Sequence, residues 1–423
     1  MSTFKSESMA SKAPLPRIFR NNEESIYRLS QKLSLDPAVS DVLFDTHTRQ
    51  NLAGYASHIE NMVGTAKIPM GVAGPIRILG QHAKGDYYVP MATSEGALIA
   101  SYMRGMQLMT NAGGCRTAVL EDVMTRSPVF GFDSLPEALA FVEWLNVEAV
   151  LEDFRLIVAN TSRHACFKGV DTLVHGRNVF LTFRYSTGDA AGQNMVTIAT
   201  EAICKYMLKH LPIAPKYFHL EGNFSGDKKA TARAFQQGRG KRVTAEVAIP
   251  KALFERTMGV TVEAEVAYVQ RATMGALFSG MIGGQAHVSN ALAAIYLACG
   301  QDIACVAESA VGVFTVEMEK NGDLYACLTL PNVIVGTVGG GSSLPAAAAA
   351  LDILGLRGDN SALAFAEIIV GVALAGEVSI AAAMAGGYFS KAHAVFGRAR
   401  QRQPNAVSSA NVLAEDVLLQ NVF

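Results

Sequence analysis

Residues 21–50 space their apolar side chains as a helix does, at Ile26, Leu29 and Leu33 and then at Val39, Val42 and Leu43. Residues 61–80 read as loop and strand, punctuated by Pro69, Gly71, Gly74 and Pro75. A helix is predicted over 94–111 with Ser94 as its N-cap, and a second amphipathic helix over 134–160, carrying Leu135, Leu139, Phe141, Val142, Leu145 and Val150. The period then changes. Val170–Leu173 and Asn178–Tyr185 predict two strands joined by a turn at His175-Gly176. The second runs into Thr187-Gly188-Asp189, and a helix is expected to start near Ala190. A strand, a tight turn and a helix start suit an anion, because free N–H groups and the helix dipole face it. Residues 127–219 therefore read as a small inserted α+β unit. The core resumes with a loop at 219–231 and continues through mixed strands and Ala/Gly-rich helices to about residue 396. The most apolar stretch, Ala362 to Phe389, is interrupted by Glu367 and Glu377 and reads as a buried helix or helix pair, not a membrane span. Residues 1–20 read as a loose polar arm, and 397–423 as a weakly structured tail that starts basic.

Composition narrows the class. The chain has 423 residues, 50% of them apolar and 17% charged, which argues against disorder and coiled coil. Lys+Arg (36) balances Asp+Glu (37), so a dedicated nucleic-acid binder is not expected. A high apolar share with little charge suggests surface buried between subunits. The six cysteines, Cys115, Cys166, Cys204, Cys299, Cys305 and Cys327, form no CxxC pair. They read as reduced thiols of a cytoplasmic protein, with no structural zinc. The first residues lack the apolar run of a signal peptide.

Generic nucleotide and hydrolase signatures (GxGxxG, GxxxxGK[ST], HExxH, GxSxG) are absent. Taken singly, the remaining candidates have plain explanations. Lys228 and Lys229 could be a solvated turn, His393 a satisfied histidine, and Glu95 a first-turn carboxylate. The run from Gly336 to Ser343 says only that backbone turns tightly there or is closely approached. Asp302 has the best single claim, since a carboxylate inside an apolar stretch needs a partner.

In combination they are specific. Glu60 to Gly64, Pro69 to Pro75, Ala92 to Gly96 and Met124 to Arg126 resemble successive motifs of 3-hydroxy-3-methylglutaryl-CoA (HMG-CoA) reductases. So do Thr187 to Met195, Asp227 to Lys229, Gly300 to Asp302, Gly336 to Gly341 and Ala375 to Glu377, in the family's order over roughly residues 50–400. Asp227-Lys228-Lys229 looks like the class I branch, and the chain is similar to that branch's soluble members.

The resemblance implies an α+β protein: a large mixed α/β, CoA-binding domain (51–126 and 220–396), an inserted ferredoxin-like NADP-binding small domain (127–219), a helical N-terminal segment (1–50) and a tail (397–423). It implies two hydride transfers from NADPH to a CoA thioester, with mevalonate and free CoA as products and no metal. Lys228 would stabilise the oxyanion, Glu95 would donate a proton with a pKa raised by burial near other acids, Asp302 would hydrogen-bond both, and His393 would protonate the departing thiolate. Asp189, Ala190, Gly192, Gln193 and Asn194 would lie by the cofactor pyrophosphate, with Gly339 and Gly340 also at the cofactor. Ser162 and Arg163 would hold its 2′-phosphate. Arg104 would meet a CoA phosphate; Arg126, Lys229, Arg271, His287 and Asn290 would surround the substrate. The site would form between subunits of a homodimer or dimer of dimers, with no nucleic-acid or membrane partner.

The chain departs from the family pattern at five places. Glu221 stands for a serine of the substrate loop, Arg271 for a lysine beside Arg126, Cys305-Val306 for Gln-Asn, Met103 for an asparagine and Tyr388 for a histidine. Glu221 adds an anion where the substrate carboxylate is expected. Two further readings stay open: a reductase of another acyl thioester, and a non-catalytic CoA- or NADP-binding paralogue.

Overall fold

In the computed structural model residues 14–15 and 21–389 are described. The tail 397–423 and His393 lie outside them, as does the arm 1–20 apart from Pro14 and Leu15. Packing divides the chain into two units at Ile68/Pro69.

The first unit is helical: α1 (Glu23–Lys32), α2 (Pro37–Leu43), α3 (Thr46–Gln50) and α4 (Leu52–Ala56). The first three helices start where polar side chains replace missing backbone partners. Asn22 accepts the Ser25 N–H, Asp36 that of Ala38, and Asp45 that of Thr48. Ile26, Phe44 and Met62 form a small core with Leu52 and Tyr55.

The second unit opens with the antiparallel hairpin β1 (Met70–Gly80) and β2 (Lys84–Ala92). Its turn is held by the wholly buried Glu367, whose carboxylate accepts the N–H groups of Gln81, His82 and Ala83. Then come α5 (Leu98–Asn111) and β3 (Cys115–Arg126). The expected cap at Ser94 is not the helix start: the N-cap is Ala97, at φ 72° in left-handed conformation, and α5 begins at Leu98. Glu95 therefore lies in the loop before the helix and not in its first turn.

The strand β3 serves two sheets. Up to Val123 it pairs with β8 (Gly240–Ile249), and Met124–Arg126 pair with β6. The stretch after it holds β4 (Val129–Gly131), α6 (Leu135–Leu145), α7 (Glu148–Thr161), β5 (Cys166–His175), β6 (Asn178–Ser186), α8 (Gln193–His210) and β7 (Tyr217–His219). Their antiparallel order is β7-β4-β6-β5. The single helix expected over 134–160 is two, because the chain turns at Asn146-Val147. The predicted hairpin at His175-Gly176 is present, with Gly176 at φ 56° in the turn. Phe130, Phe141, Phe154 and Phe183 fill the interior of this stretch.

After the loop 220–231 come α9 (Ala232–Gln237), β8, α10 (Lys251–Met258), α11 (Val262–Phe278), β9 (Gly283–Gly284), α12 (Val288–Ala298), α13 (Val306–Ser309), β10 (Gly312–Met318), β11 (Leu324–Val333), α14 (Pro345–Ile353) and α15 (Ser361–Ala385). Across the larger sheet the order is β3-β8-β11-β10-β9. The apolar stretch is the one helix α15, not a pair. Among the described residues it is the helix long and apolar enough to cross a membrane (mean hydropathy 2.1), yet 83% of its most apolar stretch is buried inside the fold. Its small residues explain this. A Cβ on Gly376 would meet the Tyr102 ring at 2.1 Å, and one on Gly105 would meet the Ala375 carbonyl oxygen at 2.0 Å. Thus α5 and α15 cross almost backbone to backbone.

Candidate active site

The loop between β7 and α9 carries Asp227, Lys228 and Lys229. Lys228 adopts φ 58°, a left-handed conformation that costs a non-glycine residue about 1 kcal/mol or more. Glu308 on α13 offsets this. It is wholly buried, accepts the Lys228 N–H at 2.9 Å and receives both Arg239 hydrogen bonds at 2.7 and 2.8 Å. Burial pushes the Glu308 carboxyl up, while Arg239 opposes the shift.

The Lys228 ammonium is thereby aimed at Asp302, with Nζ to Oδ2 at 2.9 Å. The hydrogen bond that the ammonium donates to Asp302 raises the lysine pKa, so Lys228 stays charged through neutral pH. Burial pushes the Asp302 carboxyl up, but the bond and charge of Lys228 outweigh it and hold the group below its ordinary range. Asp302 is not the buried carboxylate that the apolar surroundings suggested. Its side chain is 40% exposed and faces a cleft.

That cleft, about 460 Å³, runs from Arg126, Asp227, Lys228 and Asp302 past residues 190–195 to Gly336 and Gly339–Gly341. The helix α8 begins at Gln193 and not near Ala190. Its N-cap is Gly192 at φ 82°, without a side-chain cap, so its first N–H groups open toward the cleft. Ala190 instead bridges to Val338. Two glycines are required by close approach: a Cβ on Gly336 would meet Ala191 N at 2.4 Å, and one on Gly341 would meet the Gly300 carbonyl oxygen at 2.4 Å. Gly339 and Gly340 have positive φ and open space where a Cβ would stand. Gln193 reaches further than the sequence indicated, since its side-chain amide donates to Asp302 Oδ2 and to Cys305 Sγ, each at 3.2 Å.

Arg126, its side chain 10% exposed, forms the inner wall of the cleft. Its Nη1 lies 3.2 Å from both Glu221 Oε2 and Asp227 Oδ2. The Lys229 ammonium is turned back onto the Asp227 carbonyl oxygen.

Other predicted site residues fall elsewhere. Glu95, Arg104, His287 and Asn290 line a second cavity of about 390 Å³ with Tyr102, Tyr268, Tyr388 and Phe389. Among the described residues none lines both cavities. Glu95 is exposed within one chain, so the burial expected of it near other acids is not supplied by the chain itself. His287 stacks on Tyr102 and is held through Nδ1 by the buried Glu377, which also accepts the N–H groups of Ala286 and His287. Arg104 is buried and bonded to Ser379 and to the Tyr388 hydroxyl, with its guanidinium over the Tyr388 ring. Arg271 is on the exposed side of α11, bonded to the Ala267 carbonyl. Ser162 and Arg163 sit on the α7–β5 turn and do not line the cleft; Ser162 accepts the His164 and Ala165 N–H groups. Asp189 does not line it either, because its carboxylate is turned to the start of α15. The residues missed from sequence are Glu308 and Arg239, whose signal was a charge set in an apolar or glycine-flanked run; Glu377 stood out in sequence as part of a motif, but without this role.

Comparison with known proteins identifies the family. The family model described as hydroxymethylglutaryl-coenzyme A reductase matches residues 31–398. A 3-hydroxy-3-methylglutaryl-coenzyme A reductase of Pyrococcus horikoshii is 42% identical over 350 residues, covering 81% of this chain and 84% of the relative. One from Methanothermobacter thermautotrophicus is 43% identical over 345 residues, covering 81% and 85%. The class II HMG-CoA reductase of Streptococcus pneumoniae, solved with NADPH in open conformations, superposes with TM-score 0.64 at 19% identity, over 86% of this chain and 97% of that one. With so much of its length matched at this identity, the chain belongs to the hydroxymethylglutaryl-coenzyme A reductase family.

Proposed function

We propose that this chain reduces (S)-HMG-CoA to (R)-mevalonate and free CoA with NADPH, a step of isoprenoid synthesis. The observation that carries the reading is the Lys228–Asp302 pair, 2.9 Å apart, in a cleft that also presents an uncapped helix start and an open glycine turn.

The cleft fits a dinucleotide. The first N–H groups of α8 would take the pyrophosphate, with Gly339 and Gly340 leaving room beside it. Ser162 and Arg163 would take the 2′-phosphate, for which a guanidinium is suited. When bound, NADPH supplies the two hydrides. The rest falls to the chain. Lys228 places a fixed positive charge at the thioester oxygen, and Asp302 and Gln193 hold it there. Glu95 donates a proton, and His393 protonates the departing thiolate. Arg126 and Lys229 receive the substrate carboxylate, Arg104 meets a CoA phosphate, and His287 and Asn290 lie near the reacting centre.

Two copies would be needed. Glu95, His287 and Asn290 line one cavity, and Lys228 and Asp302 another. The end of α11 that carries Arg271 also exposes Leu277 (71%) and Phe278 (93%). A homodimer or dimer of dimers would cover this apolar end and bring the two sets together. The strand order β7-β4-β6-β5 with α6–α8 supports reading 127–219 as a ferredoxin-like cofactor unit between the substrate-domain parts 51–126 and 220–396. The burial of α15 supports reading it as a core helix and not a membrane span.

The test is NADPH oxidation by purified protein with HMG-CoA, with NADH run beside it and mevalonate identified as product. Absence of mevalonate would reject the reading. The contact of Glu221 with Arg126 favours a second reading, in which a different acyl thioester is the better substrate.

A further inference from the structure

Arg126 lines the cleft as a nearly buried guanidinium whose donors are poorly used. Its Nη1 is shared between two carboxylates at 3.2 Å, Nη2 reaches only the Gln193 carbonyl at 3.5 Å, and the buried Nε has no hydrogen-bond partner. A guanidinium is best satisfied by two parallel bonds to one carboxylate, and neither internal partner supplies them.

The two partners are not equivalent. Asp227 has a second cation, Arg239, at 3.1 Å, and Arg239 is itself fixed by Glu308. Among the described residues Glu221 has no other cation in range, and it also accepts the Ser225 hydroxyl at 3.2 Å. The Glu221 side chain is 32% exposed, against 21% for Asp227, and it stands in the loop before α9. Asp227 is therefore part of the wall, and Glu221 is the group free to leave.

We propose that Glu221 is a specificity-determining residue. It is an internal carboxylate that occupies Arg126 until the free carboxylate of the substrate displaces it. The inference rests on the reading above, in which Arg126 receives that carboxylate. A thioester without a terminal carboxylate does not compete for Arg126 and leaves Glu221 in place. Only carboxylate-bearing substrates carry the displacement penalty, and only they gain when Glu221 loses its charge.

The experiment compares the wild-type enzyme with Glu221→Gln and Glu221→Ser on HMG-CoA and on a carboxylate-free acyl-CoA. Glutarate binding is measured separately by calorimetry. Both variants are expected to lower the KM for HMG-CoA about three- to tenfold, with kcat nearly constant, and to tighten glutarate by a similar factor. The KM of the carboxylate-free thioester stays where it was. An HMG-CoA KM that is unchanged or raised would overturn the proposal, as would equal shifts for both thioesters, which a mere loosening of the loop would give. If wild-type protein turns over neither thioester, the reductase reading fails. Glutarate affinity then decides the role of Glu221 alone: tighter in the variants upholds it, and unchanged rejects it.

Discussion

The carboxylate of Asp189 closes the start of α15 by accepting the Ala362 N–H at 2.9 Å, across 173 residues of chain, and the Asn360 N–H at 3.0 Å. The helix has no cap of its own, since its N-cap Asn360 sits at φ 62° without a side-chain bond. The turn before α8, which borders the cleft, is thus tied to the long buried helix α15.

Asp189→Ala should therefore destabilise the fold by about 1–2 kcal/mol, and Asp189→Asn by less, because the amide oxygen still accepts. Urea unfolding followed by circular dichroism measures this. An alanine variant with the wild-type midpoint would show that the cap contributes nothing.

Lys228→Ala should reduce turnover by about two to three orders of magnitude while changing NADPH affinity only a few-fold. Steady-state rates and fluorescence titration of NADPH separate the two. Turnover within a few-fold of wild type would reject the oxyanion role.

Glu265 on α11 is wholly buried, and neither carboxylate oxygen has a hydrogen-bond partner. Burial pushes its carboxyl from the ordinary 4.5 to about 8, with Arg104 opposing, and Tyr268 and Tyr388 are close enough to feel its charge. The folded state therefore holds a proton that the unfolded state has lost, and stability falls as pH rises from about 5 to 8. Glu265→Gln should flatten this dependence and be more stable than wild type at the alkaline end. Unfolding free energies across that window check it, and a wild-type curve already flat there contradicts it.

Gly336→Ala should weaken NADPH binding, because the added Cβ meets Ala191 N at 2.4 Å and must push the turn before α8 out of place. A calorimetric Kd equal to the wild-type value would mean that the turn can move without consequence.

Local structure was legible where neighbours in sequence determine it. The helical character of residues 21–50 follows from apolar spacing, and the hairpin at His175-Gly176 from alternation and a glycine. The start of α5 was not legible, because Ala97 takes a left-handed conformation that its residue type does not announce. Nor were the duties of Glu308, Glu367 and Glu377, which hold backbone N–H groups 80 or more residues away. The resemblance marked Lys228 and Asp302 as a pair, and their geometry agrees. It did not mark Gln193 as a partner of Asp302, since its side chain reaches across from α8.

The double duty of β3 bears on how the chain folds. Val123 pairs with Gly240, while the stretch between them is pinched shut where the Gly222 N–H meets the Ser127 carbonyl at 2.7 Å. Once that stretch has folded, the open loop between the two strands shrinks from over a hundred residues to about twenty, which lowers the entropy of joining them by about 1.5 kcal/mol. That stretch then works as a staple for the larger sheet, and mutations that slow its own folding should delay the pairing of β3 with β8.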